Sequence, residues 1–452
     1  MSEVVDRKAR RLPPIATILP GLFFAVPLVT SAISRLTPVC FAVLGLALIA
    51  AALRRGADWR ALVQPSAALS ACLVLSAYLF LNAIWAVDHG SAFAKAAAFL
   101  GIILLAFTAT RAVTALDANE LRRAALGFAA GTALGAAFLL LELLTDGFLT
   151  RGAINLIAAL KPISAKHIAM ANGKVTRINL SEFNQNAAML MLNLWPALLI
   201  LGALKSIPRR IVVAMLFFLA LAVPIALSEH DSSQVALVLS PVVFGLAWYW
   251  RSLVIRGLAV LWCLCFVFVI PLDLLAYQQG LHLAPWLPDS ARARVIIWQY
   301  TAEHALEHPW LGIGVSSTSA VKAQTKGPED RPEGFVFKRT TGQHAHDIFL
   351  QSWYELGLVG VVLAAIAGAL VVLRIGLLPV LAQPFGAATF MAFFAIAAFA
   401  WSIWQTWFMC AIALVPLYLR MGTEAVEEPV VEPPKPRRRR DEAKASAGGH
   451  PR

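Results

Sequence analysis

Charged residues are scarce in this sequence. Asp, Glu, Lys and Arg make up 14% of its 452 residues, whereas 59% are hydrophobic. The mean hydropathy is +0.71, and soluble globular domains carry about 25% charged residues. The shortage of charge excludes a chain made only of one or two soluble domains. The same shortage favours an integral membrane protein built from apolar helices.

Cysteine is also rare, and clustered carboxylates are missing. All five cysteines fall inside apolar runs, where we expect them to pack as small core residues. This placement indicates neither a disulfide framework nor a zinc site. Because no group of Asp and Glu side chains suits Mg²⁺, we expect chemistry without a metal ion or another cofactor. The cysteines are Cys40, Cys72, Cys263, Cys265 and Cys410.

Repeated apolar runs predict an all-α, polytopic membrane protein with about twelve spanning helices. The last two could instead form one re-entrant unit. The predicted spans are 15–33, 38–53, 66–86, 91–112, 124–144, 186–204, 211–228, 234–250, 254–276, 347–373, 384–402 and 404–420.

The spans divide the chain into five regions. A charged, Pro-rich composition predicts a disordered tail at the C-terminal end. The predicted regions are a cytoplasmic segment 1–13, spans one to nine within 14–276 with an outer loop at about 145–185, a large outer loop 277–346, spans ten to twelve within 347–420, and a basic cytoplasmic tail 421–452.

The positions of Lys and Arg predict which span ends lie in the cytoplasm. The net charge is +12, and the basic residues lie mostly at span ends and in the tail. This distribution favours membrane insertion over nucleic acid binding, because cytoplasmic loops are enriched in Lys and Arg. With the N-terminus inside, the short outer turns hold little beyond Arg35, so both termini are expected in the cytoplasm. The short inner loops then hold Arg54, Arg55, Arg60, Arg111, Arg122, Arg123, Lys205, Arg209, Arg210, Arg251, Arg256 and Arg374.

The large outer loop is cationic nonetheless, and long loops cross the membrane largely regardless of charge. Its stretch "ARARVIIWQYTAEHALEHPWLGIGVSS" predicts a helix that ends before Pro309. The i, i+4 spacing of Arg294 and Trp298 places them on one face of this helix. Arg294 has two interpretations: an interfacial anchor that reaches lipid headgroups, or a fixed cation for a phosphate oxygen.

The same helix contains a short pattern of one zinc peptidase class. His304, Glu307 and His308 have the H-x-x-E-H spacing. Pro309 follows at once, and no distant carboxylate completes a zinc site. We therefore expect exposed polar residues on a surface helix.

The stretch "GQHAHDIFLQSWYELGLVG" carries the most specific signal. His346 and Asp347 are followed by nine residues and by a Gly-x-x-Gly pair that begins at Gly357, with Glu355 just before it. A histidine at the outer end of a span can act as a base or as a hydrogen-bond donor. Helix capping and close helix packing explain the same residues without chemistry. His344 is either a second donor or an incidental loop residue.

With these motifs the chain resembles the O-antigen ligase and O-antigen polymerase (Wzy-type) superfamily. The histidine stretch is similar to that family's His-polar-x9-Gly-x-x-Gly. "RVIIWQYTAEHALEHPWLGIG" resembles its Arg-x3-Trp…Pro-x-x-Gly-x-Gly. "NAIWAVDHGSAFAKAAAFL" and "EFNQNAAMLML" add support, the latter resembling the family's Asn-x-x-Ala start of a central span. The resemblance covers most of residues 66–420.

The resemblance implies a GT-C-like membrane glycosyltransferase of the bacterial inner membrane. The expected partners are an undecaprenyl-diphosphate-linked glycan donor, a lipid A–core or glycan acceptor, and membrane lipids. His346 would accept the proton of an acceptor hydroxyl at the periplasmic face, and Asp347 or Glu355 would orient the imidazole or replace it as base. Arg294, with Arg292 or another outer cation, would bind the diphosphate.

Two positions depart from the family pattern. Asp347 stands where Asn, Ser or Gln is usual, and the turn "LSEHDSSQVAL" lacks the Arg expected after its Ser. Lys95, Arg177 or a loop cation could supply the missing charge, with His344 as a further donor.

Three functions remain open at this point. A ligase passes the glycan to lipid A–core, and a polymerase passes it to another lipid-linked repeat unit. The cationic outer loop suits a large phosphorylated acceptor, which favours the ligase. A polysaccharide transporter or flippase would also have many spans, but its charges would lie near the bilayer midplane.

Overall fold

The structure is a computed structural model that describes residues 14–157, 168–204, 207–324 and 341–427. The predicted cytoplasmic segment 1–13 and the predicted tail after residue 427 lie outside the described residues, as do parts of both long loops. The described helices are α1 (Pro14–Ala32), α2 (Thr37–Arg54), α3 (Trp59–Val63), α4 (Ala67–Asn82), α5 (His89–Ala112), α6 (Ala118–Leu144), α7 (Phe148–Leu156), α8 (Asn184–Ala203), α9 (Arg210–Leu227), α10 (Asp231–Gln278), α11 (Asp289–Ala305), α12 (Ser317–Gln324), α13 (Ile348–Leu373), α14 (Gln383–Phe399) and α15 (Thr406–Glu427). The described strands are β1 (Ile168–Ala171) and β2 (Lys174–Ile178).

Helices dominate the fold, and the prediction of an all-α polytopic membrane protein is confirmed. Within the described part of the chain, 8 helices are long and apolar enough to cross a membrane. All of the predicted spans fall on these helices or on the shorter apolar ones, and two of the spans share α10. The shorter apolar helices are Ile18–Ala32, Ala67–Asn82 and Gln383–Phe399.

The longest helix, α10, has 48 residues. If straight, it would be about 70 Å long, more than twice the hydrocarbon core of a bilayer. The backbone of Trp250 is not helical, with φ −124° and ψ 47°. Asp231 at the start of α10 accepts a hydrogen bond from Ser290 Oγ at 3.1 Å. Because the chain from 278 to 290 reaches at most about 40 Å, α10 must bend sharply at Trp250. Each half can then cross the membrane separately.

The central helix of the bundle is α8. Nearly every side chain from Asn186 to Ala203 is buried. Its sequence "NAAMLMLNLWPALLILGA" is apolar around most of the helix, which is typical of a helix that packs on all sides. It contacts α9, α14 and α15, and these contacts form much of the core.

The outer loop at about 145–185 contains a β-hairpin that was not predicted. Asn172 and Gly173 form its turn and have φ of 50° and 73°. Asn-Gly is the preferred pair for a two-residue turn with left-handed backbone. Asn155 of α7 holds the hairpin by accepting from Val175 N at 2.8 Å and donating to Val175 O at 3.0 Å.

Two polar contacts connect loops at one end of the bundle. Arg55 forms an ion pair with Glu120, and Arg111 donates a hydrogen bond to Leu62 O at 2.9 Å. All four residues lie at or beside loops predicted to be on the inner side. The opposite end, where α10 and α13 begin, is called the site end below.

Candidate active site

A break in α13 organises the site end. Gly357 has φ 62° and ψ −171°, which only glycine adopts readily. A Cβ at Gly357 would lie 2.5 Å from backbone atoms of Trp310, Leu311 and Gly312. The residues that connect α11 to α12, here called the inserted loop (306–316), therefore pack backbone to backbone against the break.

The inserted loop replaces hydrogen bonds that the break removes from α13. Leu358 N donates to Pro309 O at 2.8 Å, and Ile313 N donates to Tyr354 O at 3.0 Å. Unpaired backbone groups at membrane depth are costly, and irregular backbone is tolerated there only when protein satisfies it. The broken helix and the inserted loop thus stabilise each other.

Glu355 joins three segments at the break. Its side chain is 0% exposed. It accepts hydrogen bonds from Ser316 N and Thr318 N at 3.1 Å each, from Thr318 Oγ1 at 2.6 Å and from Gln351 Nε2 at 3.2 Å. Trp404 Nε1 is a further donor. No Lys or Arg in the described ranges forms an ion pair with this carboxylate, so hydrogen bonds alone compensate its burial.

Asp347 begins α13. Its side chain is 8% exposed and accepts from Phe349 N at 2.7 Å and from Leu350 N at 3.0 Å. A carboxylate at this position satisfies backbone N–H groups that have no partner inside the helix. The cap fixes where the helix starts and therefore where His346 stands.

His346 is held in one tautomer. It has φ 56°, a left-handed backbone that is uncommon outside glycine. Its Nδ1 lies 2.7 Å from the carbonyl oxygen of Ala400. A carbonyl can only accept, so Nδ1 carries the proton and the neutral ring keeps a lone pair on Nε2. The half-buried ring is thus prepared to accept a proton at Nε2.

His344 is held in the other tautomer. Its Nδ1 accepts from His346 N at 3.3 Å, and the two rings lie 4.0 Å apart between centroids. The proton of neutral His344 is therefore on Nε2, where it can be donated. The pair combines an acceptor nitrogen with a donor nitrogen.

Both histidines are neutral at physiological pH. Burial, followed by the charge of Arg294, lowers the pKa of His346 to about 4, although the hydrogen bond to Ala400 opposes the shift. Burial, followed by His346 and then by Arg294 and Lys322, lowers the pKa of His344 to about 3. A neutral imidazole is the form that can act as a base.

Arg294 supplies the positive charge of the site. It lies half-buried on α11, and its charge acts on His230, His344 and His346. Burial lowers the pKa of Arg294 while Asp231 opposes the shift, and an arginine stays protonated at neutral pH. No hydrogen bond or ion pair joins its guanidinium to the rest of the described chain. The structure thus brings Arg294 and the two predicted histidines together.

The other predicted cations lie in different surroundings. Arg292 forms an ion pair with Asp289, one turn away on α11. Lys95 on α5 lies 3.5 Å from Thr406 Oγ1. Arg177 is exposed on β2. Where the chain is described, no hydrogen bond or ion pair links these three cations to either histidine.

His230 is a candidate that the sequence did not single out. It is 5% exposed, and its ring stacks on Trp401 with centroids 4.4 Å apart and planes 17° apart. Its Nδ1 is 2.6 Å from Ser233 Oγ, while its buried Nε2 has no partner in the described part of the chain. The turn "LSEHDSSQVAL" lacks the arginine of the family pattern, and the residue spacing gives no reason to choose its histidine.

Asn82 and Lys322 were also missed. Asn82 at the end of α4 donates to Leu311 O at 2.8 Å and accepts from Val315 N at 2.6 Å, so it holds the inserted loop. The charge of Lys322 on α12 acts on both site histidines. Both residues act across long stretches of sequence, so local spacing could not identify them.

The zinc pattern spans the end of α11: the helix ends at Ala305, before the predicted end at Pro309, so His304 lies on it while Glu307 and His308 lie in the inserted loop. His304 Nδ1 bonds to Tyr300 O at 2.7 Å, which is an ordinary contact within a helix. Glu307 and His308 are exposed. No group of three or more His, Cys, Asp or Glu side chains suited to a metal ion occurs in the described ranges.

The bundle and its polar end define a polytopic membrane protein in which Arg294, His344 and His346 lie together at the site end. Residues 214–365, about a third of the chain, match the family model described as O-Antigen ligase. The match includes His230, Arg294, His346 and Glu355, and it supports the resemblance to the O-antigen ligase and polymerase superfamily. The search of curated proteins finds no match for this chain.

The match to this family model supports a general conclusion about function. It supports a ligase-like or polymerase function in O-antigen assembly, and family members are generally glycosyltransferase-like. Such a function implies lipid-linked glycan substrates and a membrane setting. The multiple apolar helices agree with that setting.

Proposed function

We propose that this protein is an O-antigen ligase-like glycosyltransferase. It transfers a glycan from an undecaprenyl-diphosphate carrier to a hydroxyl of lipid A–core or of a similar acceptor. Transfer takes place at the periplasmic face of the inner membrane, where the predicted orientation puts the site end. Both termini then lie in the cytoplasm, and no metal ion is required.

The observation that carries this proposal is the tautomer of His346. The hydrogen bond from Nδ1 to Ala400 O leaves the lone pair of Nε2 available. Burial and Arg294 keep the ring unprotonated by lowering its pKa to about 4. Such a ring is a weak base, and the negative charge of a bound diphosphate strengthens it by offsetting the charge of Arg294. General base catalysis of this kind accelerates a reaction by about 10²–10⁴-fold.

Arg294 binds the leaving group. The acceptor hydroxyl oxygen attacks the anomeric carbon of the donor, and the bond from that carbon to the diphosphate oxygen breaks. The bonding electrons leave with the lipid diphosphate, whose growing negative charge Arg294 stabilises. The hydroxyl proton moves to His346 Nε2. Because the leaving group is already an anion, it needs no proton.

Asp347 and Glu355 remain the alternative bases. Asp347 is engaged as the cap of α13, and the oxygens of Glu355 accept protein hydrogen bonds. These contacts favour His346 as the base and leave the two carboxylates to orient the site.

Transfer assays with purified protein in lipid vesicles test the roles proposed for His346 and Arg294. We expect His346→Ala to lower kcat by about 10²–10⁴-fold, and Arg294→Ala to lower transfer strongly by weakening the diphosphate contact. His308→Ala and Arg123→Ala change an exposed histidine and an exposed cation of an inner loop, and should keep nearly full activity. Full activity of both His346→Ala and Arg294→Ala would remove the catalytic proposal. If a transporter explains the family match, none of the proteins will form a glycosidic bond.

Deletion of the gene distinguishes the ligase from the polymerase. Loss of a ligase should leave polymerised, lipid-linked glycan in the inner membrane. Loss of a polymerase should leave lipopolysaccharide that carries a single repeat unit. We expect the first result, because the cations of the outer loop suit a phosphorylated acceptor.

A further inference from the structure

Within the described residues Glu355 makes no hydrogen bond to His344 or His346, yet its contacts lead to segments that act on the histidine pair. One set of contacts runs to the segment between α14 and α15, here called the α14–α15 turn (400–405). The other runs to the start of α12. Each of these segments carries a group that acts on His346.

The α14–α15 turn is held from inside by the Glu355 network. Trp404 Nε1 donates to the Glu355 carboxylate. Gln351 Nε2 donates both to Glu355 at 3.2 Å and to Ser402 Oγ at 2.9 Å. Ala400, two residues before Ser402, offers the carbonyl that fixes the proton of His346. Glu355 therefore anchors the backbone on which the tautomer of His346 depends.

The start of α12 is held by the same carboxylate. Ser316 N and Thr318 N both donate to it at 3.1 Å. Ser316 has φ 59°, a backbone conformation that needs support from its surroundings. One helical turn later stands Lys322, whose charge acts on both site histidines.

The donors that surround Glu355 match a carboxylate. Two backbone N–H groups, an indole N–H and an amide NH₂ can only donate. Charge-assisted hydrogen bonds of this type are about twice as strong as neutral ones. An amide in place of the carboxylate would direct its own NH₂ group at one or more of these donors, and would release at least one segment.

We propose that Glu355 is a positioning residue that acts through the α14–α15 turn and the start of α12 to hold His346 in the tautomer with a free Nε2. This inference rests on the proposed base role of His346. It assigns Glu355 no contact with the substrate.

Glu355→Gln tests the proposal. We expect kcat to fall by about 10²-fold, because small displacements of a catalytic group cost this much. The KM for the lipid-linked donor should change little, since Arg294 is untouched. Trp404→Phe keeps an aromatic ring but removes one donor, and should cause a smaller fall in kcat. A rise in KM with unchanged kcat would overturn the proposal.

The matched control is Glu142→Gln. Glu142 is also 0% exposed and accepts from Thr150 N at 3.0 Å, but it lies near the end of α6 and contacts none of the site segments. This variant reports what the loss of a buried carboxylate does to folding alone. We expect a lowered thermal midpoint in both variants and a lowered kcat only in Glu355→Gln.

A double variant separates positioning from general damage. If Glu355 acts through His346, then Glu355→Gln should not further lower the residual rate of His346→Ala. The effects of substitutions at residues that act as one unit are not additive. Glu142→Gln should affect both backgrounds equally. An additive fall in the rate of the Glu355→Gln/His346→Ala protein overturns the proposal.

Chemical modification of His346 tests the positioning role of Glu355 without a measurement of transfer activity. Diethylpyrocarbonate acylates neutral imidazole nitrogens, and mass spectrometry of the peptides follows each histidine. We expect Glu355→Gln to change the modification rate of His346 severalfold, and the rate of exposed His308 to stay constant. An unchanged rate at His346 overturns the proposal, even if His346→Ala keeps full activity and the base role itself fails.

Discussion

At the scale of single residues, backbone groups rather than side chains select the protonation states. A carbonyl at Ala400 places the proton of His346 on Nδ1, and the N–H of His346 places the proton of His344 on Nε2. Backbone partners cannot change their donor or acceptor role with pH, so the two tautomers are fixed wherever the rings are neutral. The site therefore pairs an acceptor and a donor 4.0 Å apart between ring centroids.

The pH dependence of transfer follows from the pKa of His346. The neutral ring is the active form, and burial followed by Arg294 lowers its pKa from 6.5 to about 4. Protonation of His346 in the free protein should therefore lower kcat/KM only near pH 4, where the ring gains a proton. Arg294→Gln removes one cause of the shift, so its decline should begin at a higher pH. Measured kcat/KM against pH, with folding checked at each point, tests this, because kcat/KM reports the groups of the free protein. Burial raises the pKa of the neighbouring Asp347 to about 7, so a decline centred on 6.5 that persists in Asp347→Asn contradicts the prediction.

His230 should contribute to donor binding. Its unpartnered Nε2 is buried beside Trp401, within reach of the Arg294 charge. We expect His230→Ala to raise the KM for the diphosphate-linked donor by about tenfold, the value of one hydrogen bond to a charged group. His282→Ala is the matched control, because His282 is also buried and stacks on Tyr277, and the charge of Arg294 is not among the causes of its lowered pKa. Equal KM values for the two variants would count against a role for His230.

At the scale of elements, two interrupted helices shape the site end. α10 bends at Trp250 and α13 is interrupted at Gly357. The first interruption lets one continuous helix supply two spans. The second admits the inserted loop, whose backbone satisfies the groups that α13 leaves unpaired. The proposed function at this end depends on a helix that is not continuous.

Gly357→Ala should destabilise the protein. The left-handed backbone alone costs roughly 1–3 kcal/mol for a residue with a side chain, and the new Cβ would lie 2.5 Å from backbone atoms of the inserted loop. We expect a lower thermal midpoint and reduced transfer. Gly245→Ala is the control, because a Cβ at Gly245 meets nothing within 4 Å. Similar thermal midpoints for the two variants would show that the close approach at Gly357 is unimportant.

At the scale of the whole molecule, polar contacts separate into two ends. Arg55, Glu120 and Arg111 meet at one end, and Arg294 with the site histidines lies at the other. The apolar middle holds the spans together. A reaction on a lipid-linked substrate can then take place at the membrane surface while the carrier lipid stays among the spans.

Cysteine labelling tests the predicted orientation. Gln343 and Arg210 are exposed at opposite ends of the bundle, and the five native cysteines are buried or half-buried. A membrane-impermeant maleimide should label Gln343→Cys from the periplasm, and should label Arg210→Cys only after the inner membrane is permeabilised. Labelling of Gln343→Cys from the cytoplasm alone would reverse the orientation and remove the proposed periplasmic site.

Part of this arrangement could be predicted from local sequence. Asp347 was a recognisable helix cap, and His346 and Arg294 stood in motifs at the lip of a span and on one helix. Glu355 stands just before Gly357 in the sequence, but four of its five donors come from two distant segments, the start of α12 and the α14–α15 turn. The Asn-Gly turn of the β-hairpin carried a local signal that was overlooked.

The sequence by itself determined where the chain crosses the membrane, because each span must be apolar over its own length and satisfy its own backbone hydrogen bonds. It also determined the caps and turns, which depend on neighbouring residues. Only the tertiary structure decided that Ala400, Trp404, Asn82 and His230 lie around the histidine pair. Helix order in a bundle is set by packing between distant spans, and no spacing along the chain records it.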